Sequence, residues 1–299
     1  MKSVLVLLST YNGEKYIREQ IDSLLNQENV QVSILARDDG SKDSTVEILE
    51  EYKKTGRLDW YNGGNKGPGY SFFDLIYHAE RADYYAFCDQ DDFWLQDKLS
   101  IAVNKLDECD DSKANLYYGC PRFSDENLNY IEVPKLQKNQ SLILKAAIVD
   151  STAAGCTMVF NNCMRDAIVG KELPKDMIMH DDWLHKLCLI LKGNLIYDPD
   201  VHMKYRQHTT NVGGTSVSKF TKIKRRLFNK DCKRSKQLAS MLNLYGDEMN
   251  EDDKHLIEMA ANYKQGFKKK CKLFFTGKIK TNHFTRNVVF KLMVLFGTY

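Results

Sequence analysis

Three carboxylates, Asp89, Asp91 and Asp92, stand within four residues, directly after the apolar run Tyr84-Tyr-Ala-Phe-Cys88. Like charges crowded at the end of a buried segment call for something cationic to offset them. With neither Cys nor His in Asp89-Gln90-Asp91-Asp92, the oxygens suit a hard cation such as Mg²⁺ or Mn²⁺. Because Mg²⁺ usually shares its shell with substrate phosphates, a nucleotide diphosphate is the natural third party. Taken alone, the same residues would also serve as an acidic turn at a helix N-terminus, where carboxylates are welcome.

Other polar groups of useful type occur at Thr10-Tyr11-Asn12 and Asp38-Asp39-Gly40-Ser41. Tyr11 offers a flat ring for a base to stack on, and Asp38 or Asp39 can accept a hydrogen bond from a base or ribose. A core aromatic and a plain turn are the simpler readings of these two stretches. Farther along, Met179-His-Asp-Asp-Trp-Leu184 places two adjacent carboxylates, Asp181 and Asp182, before an apolar helix-like segment, where they could equally cap that helix. Trp183 can stack on a sugar ring or fill the core. In Tyr205-Arg-Gln-His-Thr-Thr-Asn-Val-Gly-Gly214, Arg206 suits a phosphate through paired donors and neutral His208 suits a metal.

The elements that must position these groups follow from periodicity. Ser3–Leu8 is almost continuously apolar, as expected of a strand buried on both faces of a parallel sheet. Asn12 is placed to cap a helix in which Ile17, Ile21, Leu24 and Leu25 recur at helical spacing. Strands at 30–36, 58–61 and 84–88 alternate with helices at 44–54 and 70–81, giving β-α-β-α-β-α-β, the pattern of a parallel sheet with right-handed crossovers. Ligands bind beyond the carboxyl ends of such strands, which is where the first three polar clusters fall. Ala153–Phe160 predicts a further strand. The first βα turn, Ser9-Thr-Tyr-Asn-Gly-Glu14, is not GxGxxG, and GxxxxGK[ST] occurs nowhere, so NAD-dependent hydride transfer and P-loop phosphoryl transfer are disfavoured.

In order and spacing, Ser9-Thr-Tyr-Asn-Gly, Asp38-Asp39-Gly40-Ser41-x-Asp43-x-Thr45, Asn65-x-Gly67 and Asp89-x-Asp91-Asp92 resemble the family 2 glycosyltransferases of the GT-A fold. The likeness is greatest to bacterial members that include rhamnosyltransferases of cell-wall and capsule synthesis, and it covers roughly residues 3–215. It implies an inverting transfer of a sugar from a nucleotide-diphosphate donor, assisted by Mn²⁺ or Mg²⁺. Rhamnose from dTDP-rhamnose is favoured, with UDP-hexose or UDP-N-acetylhexosamine as other donors. Carried over position by position, Thr10, Tyr11, Asn12, Asp38, Asp39, Lys66, Asp89, Gln90 and Arg206 would contact the donor. Asp91 and His208 would hold the metal, and Asp92 would support them. Inversion needs a carboxylate to take the proton of the attacking hydroxyl. The family pattern puts it on Asp181, with Asp182 still open from spacing, and Trp183 on the acceptor side.

The chain has 299 residues, with 43 basic against 40 acidic, and can bury a substantial core. No run of 18 uncharged apolar residues exists to span a bilayer. The eight cysteines form no CxxC pair, which predicts free thiols in a reducing cytoplasm. A catalytic domain is expected over 1–215 and a basic helical region over 216–299. Lys219–Lys236 reads as one basic amphipathic helix, and the nine basic residues after Glu258 face no acidic one. Such a tail fits an anionic membrane at the inner face of the plasma membrane, where a lipid-linked glycan acceptor would be found. The alternatives are packing on the catalytic domain and assembly of a homo-oligomer through these helices. No nucleic-acid-binding fold accompanies the basic tail. A nucleotidyltransferase acting on sugar phosphates, or an inactive sugar- or lipid-binding subunit, are the competing functions.

Overall fold

The computed structural model describes residues 1–132, 142–208, 219–229 and 231–299. The segment to residue 107 runs β1 (Ser3–Thr10), α1 (Ile17–Leu25), β2 (Gln31–Asp38), α2 (Thr45–Lys53), β3 (Leu58–Asn62), α3 (Pro68–His78), β4 (Tyr84–Asp89), β5 (Phe93–Trp94) and α4 (Lys98–Asp107). It continues through β6 (Leu116–Gly119), β7 (Arg122–Ser124), α5 (Leu144–Ala147), β8 (Val159–Asn161), α6 (Asn162–Val169), α7 (His180–Ile190), β9 (Leu195–Asp198) and β10 (Met203–Arg206). Five helices follow: α8 (Lys219–Phe228), α9 (Lys233–Tyr245), α10 (Glu251–Ala261), α11 (Phe267–Phe275) and α12 (Phe284–Phe296).

Seven strands form the main sheet in the order β3-β2-β1-β4-β8-β6-β9, mostly parallel, with β8 antiparallel to both neighbours. This is the mostly parallel α/β sheet expected from the alternation of periods, and it agrees with the fold that the family resemblance implies. Strand β1 is central because both of its faces are apolar. Leu5 and Leu7 enter the core that holds Phe72, Phe73 and Trp183, while Val4, Val6 and Leu8 enter the one that holds Ile17, Ile21 and Leu99. A small second sheet, β5-β10-β7, stands beside the main one.

Several local expectations are corrected. The third helix begins at Pro68 because Gly67, at φ 87°, makes the turn and proline is preset for a first helical position. Asn12 does not cap α1. Its backbone is left-handed (φ 49°) and its Oδ1 accepts from Lys42 N at 2.9 Å, bracing the first βα turn against the second. Of the strand expected over 153–160, only its end is extended, since Gly155–Thr157 form a 3₁₀ turn. The basic helix expected over 219–236 is two helices, parted near Cys232, whose φ of 51° cannot continue a helix.

The C-terminal helices contribute to the same core as the sheet, with Leu238, Met241, Tyr245, Ile257, Phe290 and Tyr299 in the cluster that contains Leu5 and Leu7. Among the described residues no helix is long and apolar enough to cross a membrane.

Trp183, expected beside the acceptor, is fully buried on α7, edge-on to Phe73 and Tyr245 at ring separations of 6.0 and 6.4 Å. It offers no face to a sugar because α7 turns it into the core with Leu184 and Leu187. Trp183→Ala is therefore expected to lower the unfolding free energy by about 3–5 kcal/mol in denaturant titration. A cost under about 1 kcal/mol would remove Trp183 from the core.

Candidate active site

Strand register brings the polar clusters to one edge. Thr10 lies opposite Asp38, and Ser9 opposite Asp89, so β1, β2 and β4 end together. Asp38 is buried and accepts from Thr10 Oγ1 (2.9 Å), Gly40 N (2.9 Å), Ser41 N (2.8 Å) and Ser41 Oγ (2.5 Å). Four donors on two oxygens make it the organiser of its own turn. Asp39 pairs with Arg37 and accepts from Ser71 Oγ, and Arg37 also reaches Asp74 at 2.8 Å. Gln90 clasps the backbone of Tyr11 from both sides, at 2.8 and 3.0 Å, which fixes the β1 turn to the β4 turn. The Tyr11 ring is left 45% exposed, open to a planar ligand. Lys66 is exposed in the loop after β3.

The acidic cluster is short of positive charge. Asp92 is fully buried; it accepts from Arg206 N at 3.2 Å, and its Oδ2 has no hydrogen-bond partner. Oxygens of Asp89 and Asp92 and the Cys156 sulfur lie within 4.8 Å of one another. Burial, with Asp91 and Asp181 adding repulsion, pushes the Asp89 carboxyl up to about 7. Burial and the same crowding by Asp91 and Asp89 hold Asp92 well above its ordinary value. Lys98 lies beneath, with its Nζ 3.2 Å from the Trp94 ring centre and burial drawing it down to about 8. At the mouth, Asp91 Oδ2 is 2.6 Å from His208 Nε2. Carboxylate oxygens, one of them orphaned, and an imidazole two residues beyond β10 fit a divalent cation.

Arg206, expected to contact the donor, is engaged within the protein. Only 2% exposed, it donates from Nε to Asp91 O at 2.8 Å, reaches the Glu126 carbonyl and the Glu19 carboxylate, and lies over the Tyr16 ring. The reason is strand geometry: β10 pairs with β7 and β5, which turns this side chain inward against α1. It positions the loop that carries Asp91.

Asp181 and Asp182 open α7 and have separate environments. Asp181 accepts from Asp182 N at 2.6 Å and Gly155 N at 3.3 Å, and burial followed by the charge of Asp182 pushes its carboxyl up to about 6. Burial alone would also raise Asp182, but Lys186 and Arg234 outweigh it and hold that carboxyl below its usual range. Lys186 Nζ is 2.6 Å from Asp182, and Gln237 of α9 donates to its other oxygen. His180 is wedged between Phe72 and Phe87 at 4.0 and 4.8 Å, and burial lowers it to about 3, so it is neutral. Gly155 is required beside it, since a Cβ there would run into the His180 ring. Sequence reasoning missed Lys186, Gln237, Glu19 and Cys156. Only the Asp182/Lys186 spacing of four was a readable signal.

The profile of the family described as "Glycosyl transferase family 2" matches residues 5–162. The chain is 30% identical to the dTDP-rhamnosyl transferase RfbG of Shigella flexneri over 256 residues, 81% of this chain and 85% of that protein. It is 24% identical to an uncharacterized glycosyltransferase of Rickettsia typhi over 72% of this chain and 67% of the relative. Its fold is similar to residues 1–349 of S. aureus TarS (TM-score 0.59, 18% identity, 93% of this chain and 76% of that one). It is also similar to the Pyrobaculum calidifontis mannosyltransferase PcManGT, solved with GDP-Man and Mn²⁺ (TM-score 0.55, 15% identity, 97% and 85%).

Because Arg206 works as a brace, Arg206→Met is expected to lower the unfolding free energy by about 1–3 kcal/mol in denaturant titration. An unchanged stability would return this side chain to the substrate.

Proposed function

The chain belongs to glycosyl transferase family 2, and from that premise we propose that it transfers rhamnose from dTDP-rhamnose, with inversion, to a hydroxyl of a growing lipid-linked cell-surface glycan. The rhamnosyl donor is supported by likeness to a dTDP-rhamnosyl transferase over most of both chains. The single observation that carries the chemistry is Asp181, a buried, raised carboxyl whose charge reaches Asp89 at the end of β4. In this reading donor and base meet across one cleft.

Tyr11 stacks on the base of the nucleotide, and the Asp38 and Asp39 turns hold the shape of the nucleoside pocket. Asp89 borders the ribose side. Asp91 and His208 would hold a Mn²⁺ or Mg²⁺ ion, which when bound supplies positive charge to the departing diphosphate. Asp181 takes the proton of the acceptor hydroxyl as that oxygen bonds to the anomeric carbon. The bond from this carbon to the diphosphate oxygen breaks, and its electron pair leaves with the nucleotide. Asp182, tied to Lys186 and Gln237, is the positioning partner. Its fixed negative charge makes Asp181 the stronger base.

The protein works in the cytoplasm at the inner membrane face. Supporting this, Phe267 and Phe284 are each 81% exposed, and Phe275 and Phe296 are also open to solvent on α11 and α12. No acidic residue follows Glu258. Aromatic rings with surrounding lysines suit an anionic interface.

In calorimetry Asp91→Ala is expected to abolish Mn²⁺-dependent dTDP-rhamnose binding, and unchanged affinity would sink the metal assignment. Asp181→Asn is expected to keep donor binding and cut transfer at least about 10²-fold. Loss of transfer in Asp182→Asn, with Asp181→Asn active, would reverse the roles. Since Asp181 acts as the carboxylate, wild-type transfer should fall as pH drops below about 6, by about tenfold per unit. A flat acid limb contradicts it. The protein should co-sediment with vesicles containing anionic lipid more than with neutral ones, and Phe284→Ser should weaken this; equal partition argues against the membrane face.

A further inference from the structure

Three guanidiniums converge on one carboxylate where the sheet domain meets the C-terminal helices. Asp150, in the loop after α5, lies 3.1 Å from Arg234 Nη2, 3.4 Å from Arg226 Nη2 and 3.6 Å from Arg286 Nε. The arginines come from α9, α8 and α12, so the fold, not a local charge run, assembles them. One carboxylate offsets one of three charges. The other acid whose charge reaches Arg234 and Arg226 is Asp182, which Lys186 already pairs.

The donors are not used up. Arg286 Nη1 is buried and has no hydrogen-bond partner among the described residues. Burial, reinforced by Arg234 and Arg286 and opposed by Asp150, pulls Arg226 below the ordinary arginine value. A buried guanidinium donor without an acceptor is costly, and a planar fork matches phosphate oxygens better than any other anion except carboxylate.

The three arginines line a pocket of about 130 Å³. Asp150 lines it with the arginines, and the remaining wall is mostly apolar, made by Val149, Ile223, Val289, Phe290 and Met293 with Thr285. A cationic floor under an apolar wall selects an amphipathic anion. The position is also telling. Arg234 precedes Gln237, the residue that holds Asp182, by three positions on α9, about 4.5 Å along the axis. The pocket thus lies on the α7–α9 side of the proposed base, away from the β1 and β2 ends that border the nucleotide.

We propose that this pocket binds the phosphate or diphosphate group of the lipid-linked acceptor, with the apolar wall taking the first part of the hydrocarbon chain. The inference rests on the proposed function for the nature of that acceptor.

Calorimetry on the full chain tests it, with geranyl diphosphate and inorganic diphosphate as probes, in chelator so that no divalent ion bridges a diphosphate to Asp91. Wild-type protein is expected to bind geranyl diphosphate, and Arg226→Met and Arg286→Met each to weaken it at least about tenfold. Asp150→Asn removes the resident anion that competes for the guanidiniums and should tighten binding. No binding by wild-type protein, or unchanged affinity in arginine variants that melt normally, overturns the pocket. Weaker binding in a normally melting Asp150→Asn does the same. Tighter binding of geranyl than of inorganic diphosphate supports a lipid source; equal affinities overturn the lipid part. Mn²⁺-dependent dTDP-rhamnose binding by wild-type protein is the separate readout of the proposed function, and its failure leaves the pocket standing.

Discussion

Mutual repulsion among carboxylates at the end of β4 is the constraint to which the rest of the molecule answers. Oxygens of Asp89 and Asp92 are brought within 4.8 Å of one another, close enough to Asp91 for its charge to raise both, because the strand before them is buried and must end where its neighbours end. Such a cluster is tolerated only if its field is managed. The protein supplies partial relief through Lys98 below and His208 at the mouth, while Arg206 spends its donors on carbonyls and on Glu19. The deficit left over is the ground on which a cation is proposed in the cleft. A fully neutralised cluster would fold more easily and bind less.

The same physics separates two carboxylates that are neighbours in sequence. Asp182 is encircled by Lys186, Gln237 and the field of Arg234, and stays ionised at some depth. Asp181 has only backbone donors, and so carries a proton more readily. Adjacent residues on a helix point about 100° apart, so one faces the C-terminal helices and the other the cleft. Division of labour needs nothing more than that rotation and one lysine a turn away.

Most of the architecture was readable because the first ninety residues switch cleanly between apolar runs and helical spacing, and polar clusters mark the strand ends. The parallel sheet and its ligand edge follow from that alone. What was not readable depends on contacts between distant segments. Arg206 and Glu19 are 187 residues apart, and Asp182 and Gln237 are 55 apart, distances over which composition carries no signal. Arg206 looked like a ligand-facing cation because a polar loop follows it; the short strand that turns it inward pairs with segments at 93–94 and 122–124. Trp183 was misjudged for a different reason. Its spacing to Leu187 and Ile190 is that of a buried helix face, a local pattern outweighed by its place beside the acidic pair.

The packing of α9 against α7 has a consequence for how such a chain can vary. A composition break near residue 215 looks like a seam between two exchangeable parts. Yet Gln237 touches Asp182, the neighbour of the proposed base, and Leu238 and Met241 belong to the core that seats β1. Recombination at that seam would break the contact between α9 and α7 and divide the shared core. Lineages built this way should diversify by point changes at the rim, with the two halves inherited as one piece.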